Sequence, residues 1–343
     1  MPACLQPHET WSIYDSSKIQ TMMECPRKYF YEYILGWRTD NPKHDLEFGT
    51  SLHLAMEILM TKGYSPESQE LAYAAFLKVY RKSYGPECDL LPEHGVKNPS
   101  NVLRMLGEYC LQYQGDAFKP LYTEIAGTVP INDLGDCLHF RIDSIVKDSD
   151  GIAVWDHKSC SELSRVWMDQ WNLSFQVGTY THVLYCLYPQ DEVYGCRINA
   201  LCFGRKPRKD AKSAPKEKPF SFMRLPVRRT PEAMNVWLWL ANHWLSAIKE
   251  EMQALLASDP EDHVMRAFPL NTTACTKYWG CQFMPFCSAW ANPLAHCADI
   301  PVGFKQEWWN PCDQDKTAKA IFDMEKSIIK TQEPQEAPEG EGK

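Results

Sequence analysis

No stretch of this sequence approaches the roughly eighteen consecutive apolar residues that a membrane-spanning helix needs, so no membrane partner is expected. The opening residues, MPACLQPHETW, have neither a basic start nor an apolar run. No secretory signal is expected from them, and the expected compartment is the cytoplasm. There is no internal repeat. Acids outnumber bases, with a net charge of −8, which argues weakly against nucleic acid as a partner. Cysteine, by contrast, is plentiful: there are fourteen. Without an export signal, a disulfide scaffold is not expected in a chain of 343 residues. Buried thiols and metal ligands are the readings left open.

The charge is unevenly spread. Residues 205–229, RKPRKDAKSAPKEKPFSFMRLPVRR, hold ten Lys or Arg and two acids, a local +8. A focused basic patch steers a polyanion even when the protein as a whole is acidic. Arg205, Lys206, Arg208, Lys209, Arg228 and Arg229 are therefore candidates for a nucleic-acid backbone. The plainer alternative is a solvated loop.

Hydrophobic residues make up 44% and aromatics 12%, enough for a sizeable core. Residues 16–37 read as a helix capped by Asp15, Ser16 or Ser17, with a break or kink at Pro26. Residues 48–63 read as a second helix, with Thr50 or Ser51 as its cap and Gly63 as its stop. Helical spacing recurs over 66–84 and 99–114. At 121 the pattern changes to strand alternation. CLHFRIDSIV, KDSDG and IAVWDHKS predict a β-hairpin over 137–159. Residues 171–188 return to helical spacing, 193–205 read as a strand, and 230–257 as a long helix. The chain beyond 260 is rich in cysteine and aromatics and poor in regular pattern. Its last residues, 331–343, have a disordered composition. The fold class is α/β or α+β with helical additions.

The hairpin carries an unusual pair. Side chains alternate along a strand, so Asp156 and Lys158 share a face while His157 points away. Asp143 sits mid-strand on the facing arm. Two carboxylates on adjacent strands repel unless a cation lies between them, and a lone buried carboxylate is expensive. A divalent metal such as Mg²⁺ resolves both problems. The alternative is an Asp–Lys pair at a strand end beside an unrelated Asp. Gln176 and Tyr180 lie four apart on one face of the next helix. His53 lies in the helix over 48–63. Glu124, in YTEIAG, is a further acid on a strand, either a ligand or a solvent-facing side chain.

Taken in order, His53, Asp143, Asp156-His157-Lys158 and Gln176-Val-Gly-Thr-Tyr180 resemble the PD-(D/E)xK nucleases of the RecB type. SSKIQTMMECPRKYFYEYILGW is similar to that family's opening segment, and FGTSLH to the segment that carries its histidine. The resemblance spans about residues 12–290. It implies a restriction-endonuclease-like α/β core, a mixed central sheet flanked by helices. It also implies one nuclease domain over 12–300, a tail over 1–11 and a C-terminal extension over 301–343. By the same resemblance His53, Asp143, Asp156 and the backbone carbonyl of His157 hold Mg²⁺ or Mn²⁺. Lys158 is catalytic, and Gln176 and Tyr180 position the strand. The residue between acid and lysine is usually apolar in the family, so His157 is a departure.

ACTKYWGCQFMPFCSAW places Cys275, Cys281 and Cys287 at six-residue intervals, with Cys25 far upstream. RecB-type nucleases that carry a cluster, including a CRISPR-associated branch, have one cysteine before the histidine segment and three near the C-terminal end. The resemblance therefore implies a [4Fe–4S] staple on Cys25, Cys275, Cys281 and Cys287. The spacing is looser than that group's, which keeps zinc open, with Cys297 or Cys312 as rival ligands and buried thiols as the plain alternative. The expected function is a metal-dependent DNA nuclease, a single-strand exonuclease by preference, acting on single strands or free ends in replication, recombination or repair, in a phage or a bacterium. The alternative is a nucleic-acid-binding or assembly protein of the same fold without turnover. No Walker loop is present, so unwinding would fall to a helicase or recombination partner.

Overall fold

Strand alternation from 119 onward builds a mixed sheet in this computed structural model. The structure describes residues 5–40, 44–86, 94–204, 220–277, 280–312, 319–323 and 328–332. Strands β2 (Lys119–Pro130), β3 (Cys137–Asp148), β4 (Gly151–Cys160), β5 (Val193–Cys202) and β6 (Ser221–Val227) follow a short β1 (Trp37–Thr39). They lie in the order β6-β5-β4-β3-β2. β3 and β4 are antiparallel, β4 and β5 parallel, and β5 and β6 antiparallel. β1 pairs with β7 (Phe304–Gln306) in a separate two-stranded sheet. A C-terminal hairpin, β8 (Lys319–Asp323) and β9 (Ile328–Gln332), continues the order beyond β2. The fold class is therefore α/β, a mixed central sheet flanked by helices, as a restriction-endonuclease-like core requires.

The chain forms two compact units. One comprises residues 1–41, 127–140 and 230–315, and the other 42–126, 141–229 and 316–343. In the second unit, α3 (His44–Lys62), α4 (Pro66–Tyr84) and α5 (Pro99–Tyr113) pack their apolar stripes together. Leu52, Ala55, Met56 and Leu59 recur at the spacing of one helix face. They meet Phe76, Leu106 and Tyr109, with Leu201 near the end of β5 and Phe203 just after it. On the other face of β5, α7 (Phe175–Leu187) lies against Cys196, whose thiol is 3.7 Å from Thr181 Oγ1. In the first unit, α1 (Ser16–Glu24) is capped by Asp15, which accepts from Lys18 N at 2.8 Å. Cys25 ends α1, and Pro26 opens α2 (Pro26–Tyr29). The long α8 (Pro231–Leu256) follows the cap at Thr230.

Two sequence readings need correction. α3 begins at His44, so Thr50 and Ser51 lie inside the helix and neither caps it. Ser51 Oγ bonds back to Glu47 O at 2.8 Å, which satisfies a hydroxyl within a helix without ending it. Second, the tail of the basic run is not a loop: residues 221–227 pair with β5 as β6. The part over 205–219 lies outside the described residues, as do 333–343. Among the described residues, no helix is long and apolar enough to cross a membrane.

The turn between β3 and β4 fixes the register of the hairpin. Asp148 Oδ1 accepts from Asp150 N at 2.9 Å, and Arg197 pairs with Asp148 at 3.2 Å. Gly151 holds φ +128°, and a Cβ there would stand 2.6 Å from the Glu192 carbonyl oxygen. Both backbone strain and a backbone clash oppose any side chain. Gly151→Ala should destabilise the protein by about 3 kcal/mol, read as a lowered denaturant midpoint with an unchanged slope.

Candidate active site

The parallel pairing of β4 with β5 sorts the site onto two faces. Asp156 pairs with Ile198 and Lys158 with Ala200, while His157 pairs with Asn199, which in turn pairs with Arg224 of β6. Ser144 of β3 opposes Trp155. Asp143 and Asp156, the next residue along each strand, therefore share the face that also carries Lys158.

Asp156 is fully buried, and Lys158 Nζ lies 2.9 Å from its Oδ1 and 2.8 Å from its Oδ2. Burial pushes the Asp156 carboxyl up; Lys158 opposes this and the Asp143 charge adds to it. Lys158 is pulled down by burial, but the Asp156 and Asp143 carboxylates outweigh that and raise it. Asp143 is also buried. Burial raises it, yet the net shift is well below the usual carboxylate range because His53, Lys158 and His157 surround it. Asp143 Oδ2 accepts from His157 N at 2.8 Å, and Oδ1 lies 3.3 Å from His53 Nδ1. The other ring nitrogen of His53 is 2.8 Å from the His157 carbonyl oxygen. Burial lowers the His53 imidazole, but Asp143 more than reverses it.

Glu124 belongs to this cluster. Ligand atoms of His53, Glu124 and Asp143 lie within 4.8 Å of one another. Glu124 is buried and holds φ +46°, a left-handed conformation rare for a residue with a side chain. Burial raises its carboxyl, and the Asp143 charge adds to this, while Arg141 opposes both. Arg141 Nε donates to Glu124 Oε2 at 2.9 Å. Gln176 Nε2 donates to the Tyr180 hydroxyl at 2.8 Å. Tyr180 is buried, and its hydroxyl is pushed well up by burial and by the Asp156 and Asp143 charges.

The opposite face of the sheet carries a polar chain that sequence reasoning missed. His157 Nδ1 lies 2.8 Å from Asn199 Nδ2, a donor, so Nδ1 accepts and the proton sits on Nε2. Asn199 Nδ2 also reaches the Tyr109 hydroxyl at 3.0 Å, and Arg224 Nη2 donates to that hydroxyl at 3.2 Å. Arg224 pairs with Asp116 and lies over the rings of Tyr113, at 3.8 Å, and Trp155, at 4.2 Å. Burial depresses the His157 imidazole to about 3, so it is neutral. The side chain at the variable position between acid and lysine is thus held from behind, while its backbone N–H and carbonyl serve the front. The row His157, Asn199, Arg224 had no signal in the sequence beyond single polar residues in apolar strands.

The four cysteines singled out lie in the first unit. Arg27 Nε donates to Phe268 O at 2.9 Å, and Asn271 Nδ2 to Glu24 O at 2.7 Å, which ties the Cys25 turn to the segment before Cys275. Cys281 N donates to Cys275 O at 2.9 Å, and α9 (Met284–Ala289) carries Cys287. Cys281 is raised by burial and by Cys25 and Cys275 nearby, against Lys28. Burial and neighbouring Cys25 and Cys281 raise Cys287 to about 11, against Arg27. None of the four is in a disulfide. Cys312 Sγ lies instead 3.2 Å from His139 Nδ1, and Cys297 Sγ is 3.4 Å from Leu294 O. Of the basic candidates, Arg205, Lys206, Arg208 and Lys209 lie outside the described residues. Arg228 is exposed, 5.0 Å from the Tyr194 ring, and Arg229 donates to Ser174 O.

An α/β protein that gathers a lysine, a histidine and three acids around one point is equipped for polar chemistry on a charged substrate. Its family is the PD-(D/E)XK nuclease superfamily: the family model matches residues 16–288, and the chain belongs to it. No curated protein matches the chain. A solved structure described as "Crystal structure of SSO0001" matches 66% of this chain and 84% of its own, at 11% identity and a TM-score of 0.25.

The chain behind His157 makes a double-mutant prediction. Asn199→Leu leaves the buried His157 Nδ1 without a donor, and the Tyr109 hydroxyl with Arg224 alone, and should cost about 1–3 kcal/mol. His157→Leu in the same background should cost less than it does alone, because the orphaned imidazole goes with it. Chemical denaturation of the four proteins measures the coupling.

Proposed function

We propose that the protein is a metal-dependent deoxyribonuclease that hydrolyses phosphodiester bonds, with single-stranded or free-ended DNA as substrate. The observation that carries the reading is the buried Asp143–Asp156 pair on adjacent strands, flanked by Lys158 and His53. Membership of a nuclease superfamily supports a nucleic-acid substrate.

The residues fit a divalent cation. Asp143, Glu124 and His53 bring hard oxygen atoms and an imidazole within 4.8 Å of one another, and burial first, then the Asp143 charge, raise the Asp156 carboxyl against Lys158, a strain that a bound cation would relieve. His53, Asp143, Asp156 and the His157 carbonyl would hold Mg²⁺ or Mn²⁺, with Glu124 added from the geometry. When bound, such a cation supplies charge stabilisation at the phosphate and a more acidic water. The rest is done by side chains. Lys158, kept protonated by Asp156, offers a fixed positive charge to the phosphate oxygens and orients the attacking water. His157 N holds Asp143 in place from the backbone. Gln176 and Tyr180, joined by their hydrogen bond, present one polar edge to the strand. Arg228 and the basic run before it are read as backbone contacts.

The cysteine set is read as a [4Fe–4S] site, with zinc the alternative. Cys281 lies within electrostatic range of Cys25 and Cys275, beside Lys28, and Cys287 within range of Cys25 and Cys281, beside Arg27, which supports a shared thiolate-ligated group. Its role is that of a staple between the Cys25 turn and residues 275–287. Replication, recombination or repair remains the proposed setting, with a helicase or recombination partner for unwinding.

Two tests follow. End-labelled single-stranded DNA with Mn²⁺ or Mg²⁺ should be cut by the wild type, and Lys158→Ala should lose roughly 10²–10⁴-fold in rate. Equal rates in both proteins, or no cleavage by either, would overturn the assignment in favour of another site or a binding role. Anaerobically purified protein should be brown, and Cys275→Ala should bleach it; a colourless protein with stoichiometric zinc would replace the cluster with zinc.

A further inference from the structure

Residues 161–174, SELSRVWMDQWNLS, link β4, which carries Asp156 and Lys158, to α7, which carries Gln176 and Tyr180. Both ends of the segment are thus fixed to the candidate active site. Its middle is a short helix, α6 (Arg165–Asp169), capped by Ser164. The indoles of Trp167 and Trp171 meet edge-on, with centroids 5.5 Å apart. Lys158 Nζ stands 5.9 Å from the centre of the Trp171 ring. Val166 and Leu173 beside them are 80% and 86% exposed. The Trp171 indole N–H is buried without a partner.

Apolar side chains this exposed, at the door of a site for anionic substrate, need an explanation. The segment's charge excludes phosphate binding: Glu162 and Asp169 outnumber Arg165, and Arg165 is already paired with Asp169 at 3.3 Å. What it offers is apolar surface built around two indoles. Nucleobases are the part of a nucleic acid that such a surface suits, and in a duplex their faces are covered by stacking. We propose that Trp167 and Trp171, with Leu173 and Val166, form a stacking platform that takes unpaired bases next to the cleavage centre, and that it gives the site its preference for single strands. This inference rests on the nuclease reading and assigns the substrate determinant of that same site. Trp171 links the two functions, because the same indole borders both the platform and the catalytic lysine.

The test compares two synthetic strands of equal length and charge, one of ordinary deoxynucleotides and one of abasic deoxyribose phosphates. Binding to full-length protein is measured in chelator, so that no cleavage occurs. Wild type should bind the base-bearing strand more tightly. Trp167→Ala should weaken that binding roughly 5- to 100-fold, as loss of a stacked base does, and leave the abasic strand unchanged. Leu173→Ser, at an exposed position that threatens no core, should act in the same direction. Cleavage in Mn²⁺ should shift from single strand toward duplex in both variants. Equal affinity of wild type for the two strands overturns the proposal without any variant. Unchanged base-dependent binding in Trp167→Ala and Leu173→Ser also overturns it, and would leave the patch to a protein partner. If wild type cuts no DNA yet keeps base-dependent binding that Trp167→Ala removes, the hydrolase reading fails and the platform stands. If it cuts normally but ignores the bases, the platform alone fails.

Discussion

Two buried carboxylates on neighbouring strands repel each other, and the second unit is arranged around that repulsion. Asp143 and Asp156 both face the same side of β3 and β4. Neither is left alone: Lys158 lies astride one, and His53 and the His157 backbone N–H hold the other. The two acids respond oppositely, Asp156 upward and Asp143 downward, because burial wins at the first and hydrogen bonds and cations win at the second. Such a pair is expensive to keep for stability's sake. Its presence is the physical observation on which the proposed chemistry rests.

The core of this arrangement was legible in the sequence because it is local. Asp143, Asp156 and Lys158 sit in one hairpin, where alternation alone predicts which side chains share a face. His53 was legible only by resemblance, since nothing in α3 distinguishes it from a structural histidine. The start of α3 was misread because Thr50 and Ser51 satisfy their hydroxyls inside a helix as easily as at its end. Glu124 was visible as either a ligand or a solvent-facing acid and the sequence could not choose, because its aim depends on a left-handed backbone that no periodicity signals. Arg141 and the row from His157 to Arg224 depend on strand register across β4, β5 and β6, and β6 itself was hidden in a run of charge.

The cysteines teach the converse. Their six-residue spacing said little about geometry, yet hydrogen bonds from Arg27 to Phe268 and from Asn271 to Glu24, which no motif describes, tie the Cys25 turn to the segment just before Cys275. Long-range assembly of this kind is a property of tertiary packing, and spacing rules written for a single loop do not capture it.

The two histidines that flank Asp143 also bound the acidity in which this fold is at ease. His157 is depressed to about 3 by burial. Below an unfolded value of about 6.5, the unfolded chain takes up a proton there that the folded one refuses, so its contribution is intact above 6.5 and drains away at about 1.4 kcal/mol per pH unit on the way down to 3. His53 is raised by Asp143. Its ion pair is fully present below 6.5 and fades as the pH climbs through the raised value. One imidazole penalises acid and the other penalises base, and between them they favour the folded state near neutrality, one ring against the Asp143 carboxylate and the other buried behind the sheet.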